Sequence, residues 1–236
     1  MFKDKIASTF KKYFSEFLLI FISVVLAFSL TEWSSNQSSK ISEVKILTEI
    51  RNGLASDTKD LQANEDNHKI SLRAVYLLRD WTNGKAIPQD SIALFYYAVF
   101  RNYTPIINKT GYESLKSSGL KTITNDSLRF HIISLYEFDY NIIQKLEDAN
   151  EEMQDFKNFF APVNALVSPF LQFDEAGKVV ALEPAKNLSS IQRKELLSYL
   201  WRMERNKLFK IMRYEGVLKK IVLLKDDLEK GIKEIE

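Results

Sequence analysis

The sequence predicts an all-α protein in which one N-terminal transmembrane helix continues into a periplasmic antiparallel bundle of long helices. Three observations support this fold class. Residues 17–30 are apolar or small apart from two serines. Apolar residues recur at helical spacing through most of the remaining chain. The 236 residues include only 7 glycines and 5 prolines, which is too few for a loop-rich structure.

The membrane helix is predicted over residues 13–33. At this length it reaches the roughly 20 residues that a helix needs to cross a bilayer, and Trp33 stands where an aromatic residue of the membrane interface belongs. Residues 1–12 carry four lysines against one aspartate, so the positive-inside rule keeps them in the cytoplasm. We therefore expect residues 34–236 to form a periplasmic domain of a single-pass protein in a bacterial inner membrane.

A cleaved signal peptide is the alternative for the same segment. Ala27 and Ser29 provide the small-x-small pattern of a cleavage site. A retained anchor is favoured because Trp33 occupies an interfacial position and because the helical pattern resumes soon after it.

One side of the membrane helix carries the residues expected to pack against another helix. Glu16, Ser23 and Ala27 are spaced by seven and four residues and so share a face, and Ser23 and Ala27 form a small-xxx-small pair. Glu16 has three interpretations: a residue at the headgroup level, a contact with a partner helix, or part of a proton path.

The helix predicted from Ser38 to Trp81 has an apolar stripe with a repeat close to 3.5 residues. Asp57, Asn64 and His68 lie in the middle of this stripe. We interpret the stripe as drifting around the helix, which would leave these three side chains partly solvated. The alternatives are a buried polar layer that fixes register and a small polar cavity. Turn residues 82–85 end the helix.

An aromatic segment follows Pro88, with Asp90 or Ser91 as the expected helix cap. Aromatic residues at helical spacing form either core or a surface that binds a partner. The candidate partner surface consists of Phe95, Tyr96, Tyr97, Phe100 and Tyr103.

The rest of the chain predicts three further helices and a hairpin. A short helix runs from Thr110, its cap, to Gly119, and Asn125 caps a long helix that continues to Phe160 and ends near Pro162 or Pro169. Residues 172–184 contain a short strand or hairpin. A final helix starts at Ser189 or Ser190. Its expected core face comprises Leu197, Leu200, Leu208, Ile211, Leu218, Val222, Leu228 and Ile232.

Charge suggests which helices are neighbours. Residues 126–156 hold eight acids against two bases, whereas residues 190–236 hold twelve Lys or Arg against eight acids. Opposite charge on consecutive helices favours antiparallel packing between them.

The N-terminal pattern resembles a domain-of-unknown-function family of small membrane proteins common in Bacteroidota. Members open with a Lys-rich start and a membrane helix whose signature runs from a glutamate through a small residue to a tryptophan. Glu16, Ser23, Ala27 and Trp33 fall in that order. Ser23 stands where the family usually has Gly, and the Asn-rich stretch around the Trp is altered here to residues 31–35.

A second pattern in the soluble part is similar to the same family. It consists of Tyr112, Leu115, Ser118, Gly119, Ile123, Asn125 and Leu128. The resemblance implies the single-pass topology and a bacterial envelope setting, and it implies no catalytic residue.

Composition and motifs argue against several function classes. A formal net charge of +2 gives no basic surface for nucleic acid. Without cysteine the chain lacks disulfides, thiolate metal sites and a Cys nucleophile. The two histidines, His68 and His131, lie on different predicted helices without metal-ligand spacing. No nucleophile elbow and no Gly-rich phosphate loop occurs. We therefore predict no metal site, no cofactor and no enzyme activity.

The predicted function is that of a membrane-anchored accessory or structural subunit that binds other envelope or membrane proteins. Whether the chain also forms a homo-oligomer is left open. The alternative is a periplasmic ligand-binding or sensor module in which Asp57, Asn64 and His68 line a pocket and the signal passes through a partner membrane protein. A membrane-tethered enzyme is a third class, for which the sequence offers no positive feature.

Overall fold

The computed structural model describes the backbone of residues 2–90 and 92–236 and the side chains of Phe14 and of residues 17–90 and 92–236. Within this part, the regular secondary structure is helical except for one two-stranded antiparallel hairpin. The α-helices are α1 (Phe2–Thr82), α2 (Ile92–Val99), α3 (Thr110–Ser118), α4 (Asp126–Ser134), α5 (Tyr140–Asp148), α6 (Asp155–Val167) and α7 (Ser190–Ile235). The strands are β1 (Leu171–Phe173) and β2 (Val179–Leu182). Short 3₁₀ turns occupy Leu120–Thr122, Glu151–Met153, Ser168–Phe170 and Ala185–Asn187, and Leu135–Asp139 is π-helical.

Helix α1 joins the apolar N-terminal stretch to the rest of the protein without interruption. Its 81 residues span about 120 Å at a rise of about 1.5 Å per residue. The helix ends at Thr82, and Gly84 follows in a left-handed conformation with φ of 83°. The predicted continuity of the two segments and the predicted turn are both confirmed.

The bundle is built around the antiparallel pair of α1 and α7. Two ion pairs show that the helices run antiparallel. Arg79 contacts Glu204 at 2.6 Å, whereas Lys69, which comes earlier on α1, lies 4.0 Å from Glu215, which comes later on α7. Apart from a few flanking buried residues, the buried positions alternate at spacings of four and three residues on both helices, the 3.5-residue repeat of a coiled coil. On α1 they are Glu43, Leu47, Ile50, Leu54, Asp57, Leu61, Asn64, His68, Ser71, Val75 and Leu78. On α7 they are Leu196, Leu200, Met203, Lys207, Lys210, Tyr214, Val217, Ile221, Leu224, Leu228 and Gly231.

The apolar core is divided into two parts along this pair. The proximal core, next to the apolar N-terminal stretch, joins α1 up to Leu61 with α3, α4, α5 and the end of α7 from Tyr214 onward. The distal core joins α1 from Ala74 onward with α2, α6, the hairpin and the start of α7 up to Met203. Between these two cores lie the buried polar residues Asn64, His68 and Ser71 of α1 and Lys207 and Lys210 of α7, whereas Asp57 lies alongside the proximal core.

The prediction of one continuous helix between Asn125 and Phe160 is wrong, because the chain forms α4, α5 and the start of α6 there. Asn125 does cap α4, since its side chain accepts a hydrogen bond from the Leu128 amide at 3.0 Å. A π-helical turn at Leu135–Asp139 then shifts the buried face by one residue, so Tyr136, Tyr140 and Ile143 are buried. The chain leaves α-helical geometry between α5 and α6. Pro162 lies inside α6, which ends at Val167, so the predicted end near Pro169 is confirmed and the one at Pro162 is wrong.

The predicted face of α7 is also partly wrong. Leu208 and Val222 are exposed, whereas Lys207 and Lys210 are buried. The prediction counted only apolar residues as core positions. It therefore left out the two lysines and assigned neighbouring exposed residues to the buried face. The start of α7 is confirmed, because Ser189 forms a reciprocal capping box with Gln192. The predicted hairpin is confirmed as β1 and β2.

Candidate functional site

The apolar stretch of α1 has the composition of a membrane-spanning helix. Within residues 17–82 an 18-residue window reaches a mean hydropathy of 2.0, and none of that window is buried by the rest of the protein. Ser23 and Ala27 are exposed, and the Ser23 hydroxyl donates to the Leu19 carbonyl at 2.7 Å. Trp33 is 68% exposed. The side chain of Glu16 lies outside the described residues. The small-residue face is thus free of contacts from the bundle itself.

Most of the aromatic segment belongs to the distal core. Phe100 is buried, and Phe95 and Tyr96 are half-buried against the same core. Tyr96 donates a hydrogen bond to the Asn164 side chain at 2.7 Å, and burial raises its pKa to about 12. Only Tyr97 of the five is exposed, while Tyr103 is half-buried. Of the two interpretations, core therefore describes this segment better than partner surface.

The residues of the second family pattern hold α3 and its loop against α1. Tyr112 is buried, stacks on Tyr136 with ring centroids 4.5 Å apart and donates to the Glu137 carboxylate at 2.8 Å. Leu115 is fully buried. Gly119 ends α3 with φ of 92°, and Ser118 beside it is exposed. These positions are explained by folding.

Thr110 differs from its predicted role. It is the first residue of α3 and not its cap, because Lys109 precedes the helix without a capping side-chain bond. The adjacent Gly111 lies directly against α1. A Cβ atom at Gly111 would come 2.5 Å from the Ile50 backbone nitrogen. Only glycine allows α3 to cross α1 this closely.

The interpretation of Asp57, Asn64 and His68 as partly solvated is wrong. Asp57 and His68 are fully buried, and Asn64 is 9% exposed. One Asp57 oxygen accepts from the Asn108 amide at 2.7 Å and the other from the Tyr140 hydroxyl at 2.8 Å. Burial raises the pKa of Asp57 above its usual range, although both hydrogen bonds act in the opposite direction.

Other polar groups on α1 likewise bind the irregular chain that crosses it. Asp60 accepts from the Ile106 amide at 2.9 Å, and Glu43 accepts from the Thr124 amide at 2.8 Å. The Ser71 hydroxyl donates to the Ala98 carbonyl in the last turn of α2, just before the irregular chain begins, at 2.8 Å. A non-helical segment packed over a helix needs such partners for its backbone. The polar residues of α1 therefore dock the connector between α2 and α4.

A buried charge cluster lies between the two cores. Glu147 of α5 is its centre: one carboxylate oxygen is 2.8 Å from His68 Nε2 and the other is 2.8 Å from Lys210 Nζ. All three side chains are fully buried. Lys210 also donates to the Asn102 side chain at 3.2 Å. The cluster thus joins α1, α5 and α7 to the connector.

A second buried ion pair adjoins the first. Lys207 Nζ lies 2.9 Å from the Asp155 carboxylate and donates to the Arg101 carbonyl at 2.6 Å. Asn206 donates to the same carboxylate and to the Glu152 carbonyl, both at 2.9 Å. These contacts attach α6 and the turn before it to α7.

The environment of the cluster decides its charge. Burial lowers the pKa of His68 and of Lys210. Burial alone would raise the pKa of Glu147, but His68 and Lys210 together bring it below its usual range. At neutral pH Glu147 is therefore an anion and His68 is neutral. His68 Nε2 then carries the proton donated to Glu147, and Nδ1 is buried without a hydrogen-bond partner.

Sequence reasoning missed this cluster, although one signal was present. Lys207 and Lys210 continue the spacing of four and three residues between Met203 and Tyr214, which marks them as core positions. Glu147 gave no such signal, because the π-helical turn that rotates it inward is invisible in the apolar pattern. His131, the other candidate ligand, lies at the surface 3.3 Å from Asp227. In the part of the chain that the structure describes, no group of three metal-ligating side chains converges.

An outer groove runs between α7 and the α4–α5 segment. It consists of two depressions of about 340 and 200 Å³ that share Asp139 and Lys220, whose side chains form an ion pair at 2.6 Å. Gly216 lies in the groove with open space above its Cα. The apolar side chains exposed along it are Ile142, Met212 and Leu223.

No family model, no curated protein and no solved structure matches this chain. The resemblance to the Bacteroidota family stays a prediction.

Proposed function

We propose that this protein is a non-enzymatic, membrane-anchored subunit that binds a partner protein in the envelope of a bacterium. Residues 13–33 cross the inner membrane, residues 1–12 lie in the cytoplasm and residues 34–236 form a domain in the periplasm. The observation that carries the proposal is the outer groove. Its exposed apolar side chains belong to the bundle and are separate from the apolar stretch of α1.

The anchor supports this role through its geometry. Because α1 is continuous from Phe2 to Thr82, the bundle is held at a fixed height and orientation relative to the membrane helix. The faces of Ser23 and Ala27 are exposed, and small residues are typical of packed membrane helices. A partner with its own membrane helix would therefore be bound at two places.

The groove fits an amphipathic helix of the partner. Met212 is 54% exposed and Leu223 is 65% exposed, and both border a channel between two helices. Clustered apolar residues at the surface mark protein-binding sites, and an apolar helix face is the usual occupant of a groove between helices. The Asp139–Lys220 pair at mid-groove supplies a polar contact that sets the position of that helix.

The groove is tested by affinity purification of C-terminally tagged full-length protein from native membranes in mild detergent, with quantitative mass spectrometry. We expect a stoichiometric partner that Met212→Glu combined with Leu223→Glu reduces at least tenfold. Ile191→Glu combined with Val180→Glu is the control, because Ile191 and Val180 are exposed apolar residues outside the groove. Equal partner recovery from both double variants would refute the groove as the binding site.

The proposed contact between the membrane helix and a partner helix is tested by Ser23→Ile combined with Glu16→Leu in the same purification. Loss of the partner with retained membrane insertion supports packing through this face. Unchanged recovery would refute it. If the protein purifies without a partner, as a homodimer, the proposed complex with another protein would be refuted in favour of self-association.

The alternative of a sensor with a pocket at Asp57, Asn64 and His68 has no supporting contact. Both Asp57 oxygens bind internal donors, and the Asn64 amide donates to Asp60 at 3.0 Å. His68 binds Glu147. A ligand there would have to displace hydrogen bonds that hold the fold.

A further inference from the structure

We propose that a wedge at the membrane-proximal end of the bundle binds the phosphate headgroup of an anionic phospholipid. The wedge is a cavity of about 900 Å³ between α1 and the loop that follows α3. On α1 it extends from Trp33 to Glu43, and on the loop from Ser118 to Thr124. This inference rests on the membrane anchoring proposed above.

The wedge lies at the height of lipid headgroups. Trp33, at its lower edge, has the position of an interfacial aromatic residue. At about 1.5 Å per residue, Asn36 to Ser42 lie about 5–14 Å beyond Trp33 along the helix axis. The polar headgroup region begins at the edge of the hydrocarbon core and is about 5–8 Å thick on each side. The lower half of the wedge therefore faces headgroups.

The walls of the wedge are rich in groups that bind phosphate. Lys40 on α1 and Lys121 on the loop both line it, and neither ammonium forms an ion pair with any described residue. Hydroxyl and amide side chains accompany them. These are Asn36, Gln37, Ser38, Ser39, Ser42, Ser118, Thr122 and Thr124.

The single carboxylate in the wall does not oppose an anion strongly. Glu43 is 3% exposed. One of its oxygens accepts from the Thr124 amide at 2.8 Å, and both accept from the Thr124 hydroxyl at 3.1 and 3.2 Å. Its charge is thus directed into the loop that it holds. The accessible surface of the wedge carries two unpaired positive charges.

The loop also presents an apolar contact for the lipid. Leu120 is 39% exposed and stands beside Lys121, and Ile41 is 63% exposed beside Lys40. An exposed apolar residue next to an unpaired lysine is suited to the boundary between headgroup and acyl chain. A membrane lipid is therefore a better occupant than a free phosphate ion.

The test uses full-length protein in an uncharged detergent micelle, titrated with phosphatidylglycerol, phosphatidylcholine or inorganic phosphate. We compare wild type with Lys40→Gln/Lys121→Gln. Lys186→Gln/Lys194→Gln is the control, because these exposed lysines lie at the distal end and the change in charge is the same. Binding is followed by native mass spectrometry.

We expect the wild type to prefer phosphatidylglycerol. The Lys40→Gln/Lys121→Gln variant should bind this lipid about thirtyfold more weakly, because each lysine near an anionic lipid contributes about fivefold in affinity. The control variant should bind as wild type does. Equal loss in both variants, or no loss in either, would overturn the proposal. Inorganic phosphate binding as tightly as the lipid would instead assign the wedge to a soluble anion.

Flotation of the wild type with phosphatidylcholine vesicles separates this inference from the anchor. Protein that floats but shows no headgroup preference refutes the wedge alone. Protein that does not float refutes the membrane anchor on which both proposals rest.

Discussion

Replacement of Lys210 by methionine should reveal how much the buried charge cluster contributes to the fold. Methionine keeps most of the aliphatic stem and removes the ammonium group, which lies 2.8 Å from Glu147. Glu147 would then be buried without the ammonium group, with His68 Nε2 still 2.8 Å away. Leaving a buried charge without its counterion costs about 3–5 kcal/mol.

The expected loss is large enough for thermal unfolding to measure. For a chain of this size, each kcal/mol corresponds to about 2–4 °C in Tm. Lys210→Met should therefore lower Tm by about 6–20 °C. The unfolding is measured by circular dichroism of the full-length protein in detergent. Lys220→Met is the matched control on the same helix. Lys220 is 56% exposed and pairs with Asp139 at 2.6 Å, so its loss should cost at most about 1 kcal/mol.

The same variant should respond to pH in a defined direction. Removal of Lys210 takes away a positive charge that lowers the pKa of His68 and leaves the raising effect of Glu147. The folded-state pKa of His68 then rises. In the wild type, burial holds the folded-state pKa of His68 below its unfolded value of about 6.5, so this residue costs stability as the pH falls below about 6.5. The variant should lose less stability on acidification, because its His68 pKa is lowered less. The loss in Tm should thus be smaller near about pH 5.5 than near about pH 8.

Two results would refute this reasoning. The first is an equal loss of Tm in Lys210→Met and Lys220→Met. The second concerns Glu147→Gln/Lys210→Met, which leaves no buried charge in this pair and should recover at least half of the loss. A double variant as unstable as Lys210→Met alone would show that the stem of Lys210, and not its charge, stabilises the bundle.

Three further substitutions test the geometry of the bundle by thermal unfolding. Gly111→Ala should cost about 1–3 kcal/mol, because the new Cβ would lie 2.5 Å from the Ile50 nitrogen. Gly216→Ala should instead stabilise α7 by up to about 1 kcal/mol, since nothing lies within 4 Å of the new Cβ; the same sign for both alanines would contradict the close crossing. Ser189→Ala should lower Tm by about 2–4 °C through loss of the cap on α7, and an equal effect of the neighbouring Ser190→Ala would contradict its specific role.

Local patterns in the sequence were sufficient for α1, for α7 and for several helix ends. Gly84, Gly119, Asn125 and Ser189 act within a few residues of their own position, so their effects can be predicted without the fold. The continuity of α1 follows from the same kind of information, because no glycine or proline interrupts the helical pattern between the apolar stretch and Trp81 except Gly53.

Tertiary structure decided which polar residues are buried. Glu147 is brought inward by the π-helical turn before α5, and Lys207 and Lys210 are buried only because Asp155 and Glu147 meet them from other helices. The wedge likewise requires two segments far apart in the chain. The physical reason is that burial of a charge is tolerable only beside a counterion. The sequence by itself determined the apolar stretch, the two long helices α1 and α7 and the caps at Asn125 and Ser189, whereas the break between α5 and α6, the pairing of charges and the shape of the wedge depended on how the helices pack.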